Sequence, residues 1–302
     1  MIISYCRLDS YPQNFFGRIT DILDSCDPQS LRIAYQVLQN DSGLQILVPY
    51  LSRFLCLQVK RHMKNLSVLV STVHSIRCLV FNPHLTLDSH LEQLMPAVLT
   101  TILGPKLSNS HKEDHWALRS TAAELVAHMC SKYRDPFPDL QAQVCQTYLN
   151  ELRAPAHSNP VCFASLYGSV IGLSSLGHQV VRSLILPELE TLELKLVPNG
   201  VTVPSEEGVV ARTVVTEYER AWCLHGVATA LGKHVIASLR MNALLPGFHP
   251  SRSRTFLIWL KVTSHRREER NSNGSKRRWG SHFPFLRNFF TCIGALVAPI
   301  RR

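Results

Sequence analysis

A chain of 302 residues that is 45% hydrophobic and 18% charged carries enough apolar material to bury a self-sufficient core, which excludes a natively disordered protein. Its formal net charge of +10 suggests a nucleic-acid binder until the charge is located. Residues 251–302 hold twelve Lys/Arg against two Asp/Glu, whereas residues 1–250 hold twenty of each, so a neutral body carries a basic tail.

In chain order, Met1-Ile2-Ile3-Ser4-Tyr5-Cys6-Arg7 is too short an apolar stretch for a secretory leader and lacks a charged beginning, so secretion is not expected. From Leu66 the apolar positions Leu69, Val70, Val73, Ile76 and Val80 repeat at helical spacing, and Asn82-Pro83 stops them, because a residue before proline is pushed out of the helical region. The same stripe returns at Leu118, Ala122, Leu125, Val126 and Met129 and closes at Asp135-Pro136. No pair of alternating, β-branched runs joined by a two-residue glycine turn occurs before residue 250, so the body is predicted to be all-α. The stretch from Val197 to Gly208 is rich in breakers and reads as a loop. Residues 214–239 are predicted helical again, and Pro246-Gly247-Phe248-His249-Pro250 ends the regular region. His265 to Gly280 is polar and basic, with the composition of a disordered segment. The apolar stretch from Phe283 to Ile300 is broken by Arg287 and two prolines, short of the roughly 20 residues that span a bilayer. Nine cysteines, an odd number with no C-x-x-C pair, fit a reducing cytosolic or nuclear compartment better than a disulfide framework.

Three segments share an apolar-apolar-Pro pattern: Leu47-Val48-Pro49, Leu94-Met95-Pro96 and Leu186-Pro187 after Ile185. Pro96 follows Pro49 by about one period, and Pro187 follows Pro96 by about two, for a period of roughly 40 to 47 residues. In a second register, Leu118 to Leu125 superposes on Leu166 to Leu173. Such periods belong to HEAT-type α-solenoids of stacked antiparallel helix pairs, in which a proline kinks the first helix. Pro49, Pro96 and Pro187 are expected to be these kinks.

Catalytic and metal constellations are weak. His111-Lys112-Glu113-Asp114-His115 has two imidazoles four apart but lacks the Glu directly after the first His that a zinc protease needs. Asp114 reads instead as the cap of the helix carrying Trp116. Gly172-Leu173-Ser174-Ser175-Leu176-Gly177 lacks the glycine spacing and the preceding strand of a nucleophile elbow, so these residues read as part of a helix whose glycines, Gly172 and Gly177, let a neighbour come close, and Gly168 with Gly172 is assigned to repeat packing or partner contact. Cys223-Leu224-His225 has no companion pair and reads as filler. No P-loop or G-x-G-x-x-G occurs. An enzyme is not expected, and no cofactor or metal is implied.

Trp116 and Tyr167 are expected to begin successive second helices, where they serve either inter-repeat packing or partner contact. Arg119 is expected to hydrogen-bond the preceding turn and stabilise the repeat. In the tail, Arg266-Arg267 and Lys276-Arg277-Arg278 approximate a bipartite nuclear import signal with a short spacer. Non-specific attraction to nucleic acid, aided by Trp279 and Phe283, is a competing use, and a tail without function is a third.

The residues Asp114-His115-Trp116-Ala117-Leu118-Arg119 with Ala122 to Ala127, and Tyr167 to Leu173 with Leu176-Gly177-His178, resemble a known family: the carboxy-terminal HEAT domain of the sixth TATA-binding-protein-associated factor, a TFIID subunit, and its paralogue in SAGA-type coactivators. Leu47-Val48-Pro49-Tyr50, Asn82-Pro83-His84-Leu85 and Leu94 to Leu99 support the likeness, which runs from about Phe15 to Leu194. Asp114-His115-Trp116 and Asn82-Pro83-His84-Leu85 lean toward the SAGA-type protein; Leu94 to Leu99 and Leu176-Gly177-His178 lean toward TFIID, which is placed ahead. The resemblance implies a nuclear, non-enzymatic scaffold in RNA polymerase II transcription initiation. Its partners would be other TBP-associated factors or SAGA-type subunits, with weak nucleic-acid contact through the tail, no membrane and no small-molecule substrate. A free-standing HEAT adaptor for transport or signalling is the alternative. Family members begin with a histone fold, for which the segment before Asp27 is too short. Residues 1–26 are therefore expected to be a remnant with the first helix, 27–245 the HEAT domain and 246–302 the tail, which from Ser251 matches no part of the family pattern.

Overall fold

A computed structural model describes residues 10–110, 113–154, 162–196, 218–230 and 232, all within one unit of the chain. Every described element is helical. The first four pairs are α1 (Ser10–Ser25) with α2 (Pro28–Asn40), α3 (Val48–Arg61) with α4 (Leu66–Phe81), α5 (Leu91–Leu103) with α6 (His115–Lys132), and α7 (Leu140–Arg153) with α8 (Phe163–Ser175). In the fifth, a broken rod precedes the helix over 218–230: α9 (His178–Val180), a π turn Val181–Ile185, a 3-10 turn Leu186–Glu188 and α10 (Leu189–Leu196).

Local chemistry sets the helix ends. The Asp27 carboxylate accepts from Ser30 N at 2.9 Å, with Pro28 in the first turn, and Asn65 accepts from Val68 N at 3.4 Å. Each side chain satisfies one of the amides that a helix start leaves unpaired. Asn82 ends α4 before Pro83, where the periodicity breaks off. After Ser175 the chain leaves α8 through Gly177 at φ +119°, a backbone that favours glycine; Gly177 thus lies past the helix rather than within it.

The helices of each pair pack on one another, the second helices stack as α2, α4, α6 and α8, and α3 packs on α5. The result is a HEAT-repeat α-solenoid. α4 buries ten of its residues because it has neighbours on several sides, and an apolar circumference matches that position. At the start of the array, Phe16, Ile19 and Leu23 of α1 are buried, and Phe16 meets Tyr50 and Phe54 edge-on at 6.4 and 6.2 Å. α1, ahead of Asp27, thus packs on α2 and α4.

A recurring kind of link ties three of the repeats to the one before. Asn82 Nδ2, at the end of α4, donates to Leu38 O and Asp41 O at the end of α2, both at 3.0 Å. Lys132 Nζ, at the end of α6, donates to Val80 O of α4 at 2.5 Å, and Lys195 Nζ of α10 donates to Leu152 O of α7 at 2.5 Å. Carbonyls in the last turn of a helix have no partner within it and carry its negative dipole end, so amide and ammonium donors from the next repeat suit them.

The three prolines occupy three different settings. Pro49 lies in the first turn of α3, where its missing N–H costs nothing, so it does not kink the helix. Pro96 stands inside α5 and removes a helical hydrogen bond there. Pro187 falls in the 3-10 turn that interrupts the first rod of the fifth pair.

Candidate functional site: the inter-repeat junction and its surface

The Asp114 carboxylate Oδ1 accepts from Trp116 N at 3.1 Å and Ala117 N at 3.2 Å, which starts α6 and sets the direction of Trp116 and Arg119. Arg119 is completely buried. Its Nη1 donates to Ile102 O, its Nη2 to Gly104 O at 2.6 Å, and its Nε to His115 Nδ1 at 3.3 Å. Burial pulls the guanidinium down to about 10, so it remains a cation at neutral pH. Two carbonyls at the negative end of α5, with the His115 ring from the start of α6, make that buried charge tolerable.

α8 reaches the same carbonyl row. Ser165 Oγ donates to Leu103 O at 2.6 Å, and a Cβ on Gly168 would overlap the Ile102 carbonyl. Glycine there lets the α8 backbone close on α5. Gly172 does the same against the ring of Tyr148, which has no exposure.

Trp116 is 2% exposed. Its ring meets Tyr167 edge-on at 4.9 Å and stacks on Trp222 of the 218–230 helix at 5.6 Å. The Tyr167 hydroxyl lies 3.0 Å from Ser120 Oγ, and burial raises its pKa. Tyr167 stands one turn inside α8, not at its start, and Trp116 and Tyr167 face each other across the repeat boundary. Trp116, Arg119, Tyr167 and Gly168 thus gather around the meeting of α5, α6 and α8, while Gly172 lies where α8 closes on α7; the contacts described for all five are with the fold itself. Arg266, Arg267, Lys276, Arg277 and Arg278 lie outside the described residues, as do His111 and Lys112.

Beside this junction, α6, α8 and the 218–230 helix enclose a cleft of about 280 Å³ lined by Ser120, Glu124, Tyr167, Ser175, His225 and Thr229. Among the described residues no group of three His, Cys, Asp or Glu could hold a metal ion, and no helix is long and apolar enough to cross a membrane.

Sequence reasoning overlooked the cross-repeat donors. Asn82 was legible only as a stop, and Lys132 and Lys195 only as charges near helix ends; their unequal spacing carried no repeat signal. It also overlooked Trp222, whose ring completes the aromatic stack, and the outer contact of Phe81 with His128 and Arg77.

Stacked helix pairs with amide and ammonium clasps between repeats and an arginine clasp within one define a HEAT-repeat solenoid. The family described as the TAF6 C-terminal HEAT repeat domain matches residues 7–190, and the chain belongs to that family. Transcription initiation factor TFIID subunit 6 of Arabidopsis thaliana is 36% identical over 179 residues, covering 59% of this chain and 32% of that protein. Subunit 6b of the same plant is 27% identical over 287 residues, covering 94% and 51%. The SAGA complex/transcription factor TFIID complex subunit Taf6 of Schizosaccharomyces pombe is 30% identical over 221 residues, covering 72% and 46%. The chain therefore spans about a third to a half of these relatives. The solved TAF6 C-terminal domain from Antonospora locustae superposes with a TM-score of 0.55 at 23% identity, covering 70% of this chain and 98% of that one, a likeness of fold. The alignment with subunit 6b leaves too small a remainder for all of residues 251–302 to fall outside it, which corrects the expectation that the tail has no counterpart in the family.

Proposed function

We propose that this chain serves as a non-enzymatic scaffold subunit of TFIID, acting in the nucleus during RNA polymerase II transcription initiation. The match of residues 7–190 to the TAF6 C-terminal HEAT repeat domain carries this reading, and the relatives from Arabidopsis thaliana support it. The Schizosaccharomyces pombe relative, whose name joins SAGA and TFIID, favours a second reading in which the same surface also serves SAGA-type complexes. In mechanism, the solenoid holds other subunits at fixed separations. Arg119 and Gly172 hold together the helices of their own pairs, Gly168 lets the fourth pair close on the third, Trp116 and Tyr167 close the junction, the HEAT array over 27–245 presents its outer helix faces, and residues 246–302 form a basic tail. Binding energy in such a scaffold concentrates in a few desolvated anchors.

Affinity purification of the tagged full chain from nuclear extract tests the reading. Recovery of other TBP-associated factors, or of acetyltransferase-complex subunits, is the expected outcome. Recovery of importins or phosphatase subunits in their place would overturn it in favour of a transport or signalling adaptor.

A further inference from the structure

We infer that the outer face where α4 meets α6 is a docking site for an acidic peptide segment of a partner protein, with Arg77 receiving a carboxylate and Phe81 an apolar side chain. The inference rests on the scaffold reading and names the chemistry of one partner.

The starting observation is a local charge imbalance hidden in a neutral body. Between residues 28 and 87 the sequence has six Lys/Arg and a single acid, Asp41. Of these cations, Arg77 lies on the outer stripe of α4 with His74 and Phe81, spaced i, i+3 and i+7 so that all three face the same way. Phe81 is 39% exposed, which is unusual for a ring of its size at the end of a largely buried helix. Its ring is held in place: it stacks on His128 of α6 at 4.1 Å with the planes 10° apart, and the Arg77 guanidinium carbon lies 5.4 Å from its centroid. A rigid aromatic beside a cation loses little freedom on binding.

The ionisable side chains that α4 and α6 bring to this face are bases. α4 supplies His74 and Arg77, and α6 supplies His128 and Lys132. On the α2 side the neighbour of His74 is the ring of Tyr35, at 5.8 Å. Burial lowers the pKa of both histidines, Arg77 lowers both further, and Lys132 also lowers His128, with no carboxylate acting in the opposite direction. Asp88 acts on Lys132 rather than on Arg77, and Glu124 lines the cleft with Tyr167 and His225. Among the described residues no carboxylate pairs with Arg77.

A peptide suits this face better than a nucleic acid. Affinity for a phosphate backbone grows with the number of cations engaged, and here Lys132 is already committed to Val80 O. Base stacking needs an open ring face, and His128 covers one face of Phe81. A planar guanidinium matches a carboxylate through two parallel hydrogen bonds, and the exposed part of Phe81 adds apolar area beside it.

Fluorescence anisotropy of the full chain with a short fluorescein-labelled peptide of Asp and Glu carrying two Phe tests the site. An isosteric Asn/Gln peptide and a single-stranded oligonucleotide serve as competitors. Arg77→Glu and Phe81→Ala are expected to weaken peptide binding by about ten-fold or more, and Arg53→Glu, an equal charge change on the exposed side of α3, to leave it unaltered. Absence of binding, equal losses for Arg53→Glu and Arg77→Glu, or an oligonucleotide that binds in an Arg77-dependent way would each overturn the proposal. If Phe81→Ala melts, Arg77→Gln with an unchanged melting curve takes its place: weakened peptide binding supports the site, and full-strength binding overturns it. Continued capture of TBP-associated factors without peptide binding would remove this docking site and leave the scaffold reading standing.

Discussion

Arg119 shows how much one side chain can contribute when the backbone supplies its counter-charge. Its guanidinium has no carboxylate partner at hydrogen-bond distance; it is held by the carbonyls of Ile102 and Gly104 and by His115. Replacing it by Met keeps most of the volume but leaves two buried carbonyls without donors, each costing ~1–3 kcal/mol. Arg119→Met should therefore destabilise the domain by about 3 kcal/mol, read as a lower urea midpoint. Arg119→Lys should fall between, because an ammonium keeps the charge and loses the fork. Gly168→Ala acts on the same carbonyl from the other side, as its methyl would overlap Ile102 O, and should cost ~1–3 kcal/mol. Because both changes meet at Ile102, their effects should be non-additive in a double-mutant cycle. The sequence placed Arg119 at the start of a second helix and suggested a bond to the preceding turn; which carbonyls it reaches depends on where α5 ends relative to α6, a distance no local pattern encodes.

At the scale of the helix, α6 could be read almost completely in advance. Its stripe of Leu118, Ala122, Leu125, Val126 and Met129 is buried, and Asp114 caps it. What that pattern left open was whether Trp116 points inward or outward, since a residue near a helix start can serve either side. The structure turns it inward, edge-on to Tyr167 and stacked on Trp222. Trp116→Ala should lower the melting temperature markedly, as truncating a buried Trp costs ~3–5 kcal/mol, while the folded fraction retains partner capture. An unchanged melting curve with lost capture would mark Trp116 as a contact residue. The first helix of the fifth pair was less legible. Pro187 looked equivalent to Pro96, but α5 continues through its proline, whereas the chain around Pro187 is a π turn followed by a 3-10 turn. Proline removes one donor in either setting, and neighbouring packing decides whether the helix survives it.

Over the whole molecule, the seven described cysteines are all free, and several are buried deeply enough to couple stability to alkaline pH. Burial pushes Cys78 and Cys130 from an ordinary 9.0 up to about 11, and Tyr133 from 10.0 up to about 12. In the unfolded chain these thiols ionise near pH 9, whereas in the fold they keep their protons until about 11, so the unfolded state loses protons first. The stability they contribute is fully present below pH 9 and is lost as pH rises through 11. The melting temperature should therefore fall across that window, and Cys78→Ala with Cys130→Ala should flatten the slope even though each lowers stability at neutral pH. A melting temperature independent of pH between 9 and 11 would contradict this.

Helix boundaries, their caps and the repeat period depend on interactions within about a turn, such as Asp114 with Trp116 N or Asn82 before Pro83, and these could be recognised from the order of residues alone. Contacts between repeats are of another kind. Lys132 on Val80, Lys195 on Leu152, Phe81 on His128 and Gly168 under Ile102 join residues far apart in the chain, and their geometry is set by the angle and offset at which rigid helices stack. Many side chains along a helix are compatible with the same local pattern, and close packing against a neighbour selects which of them meet.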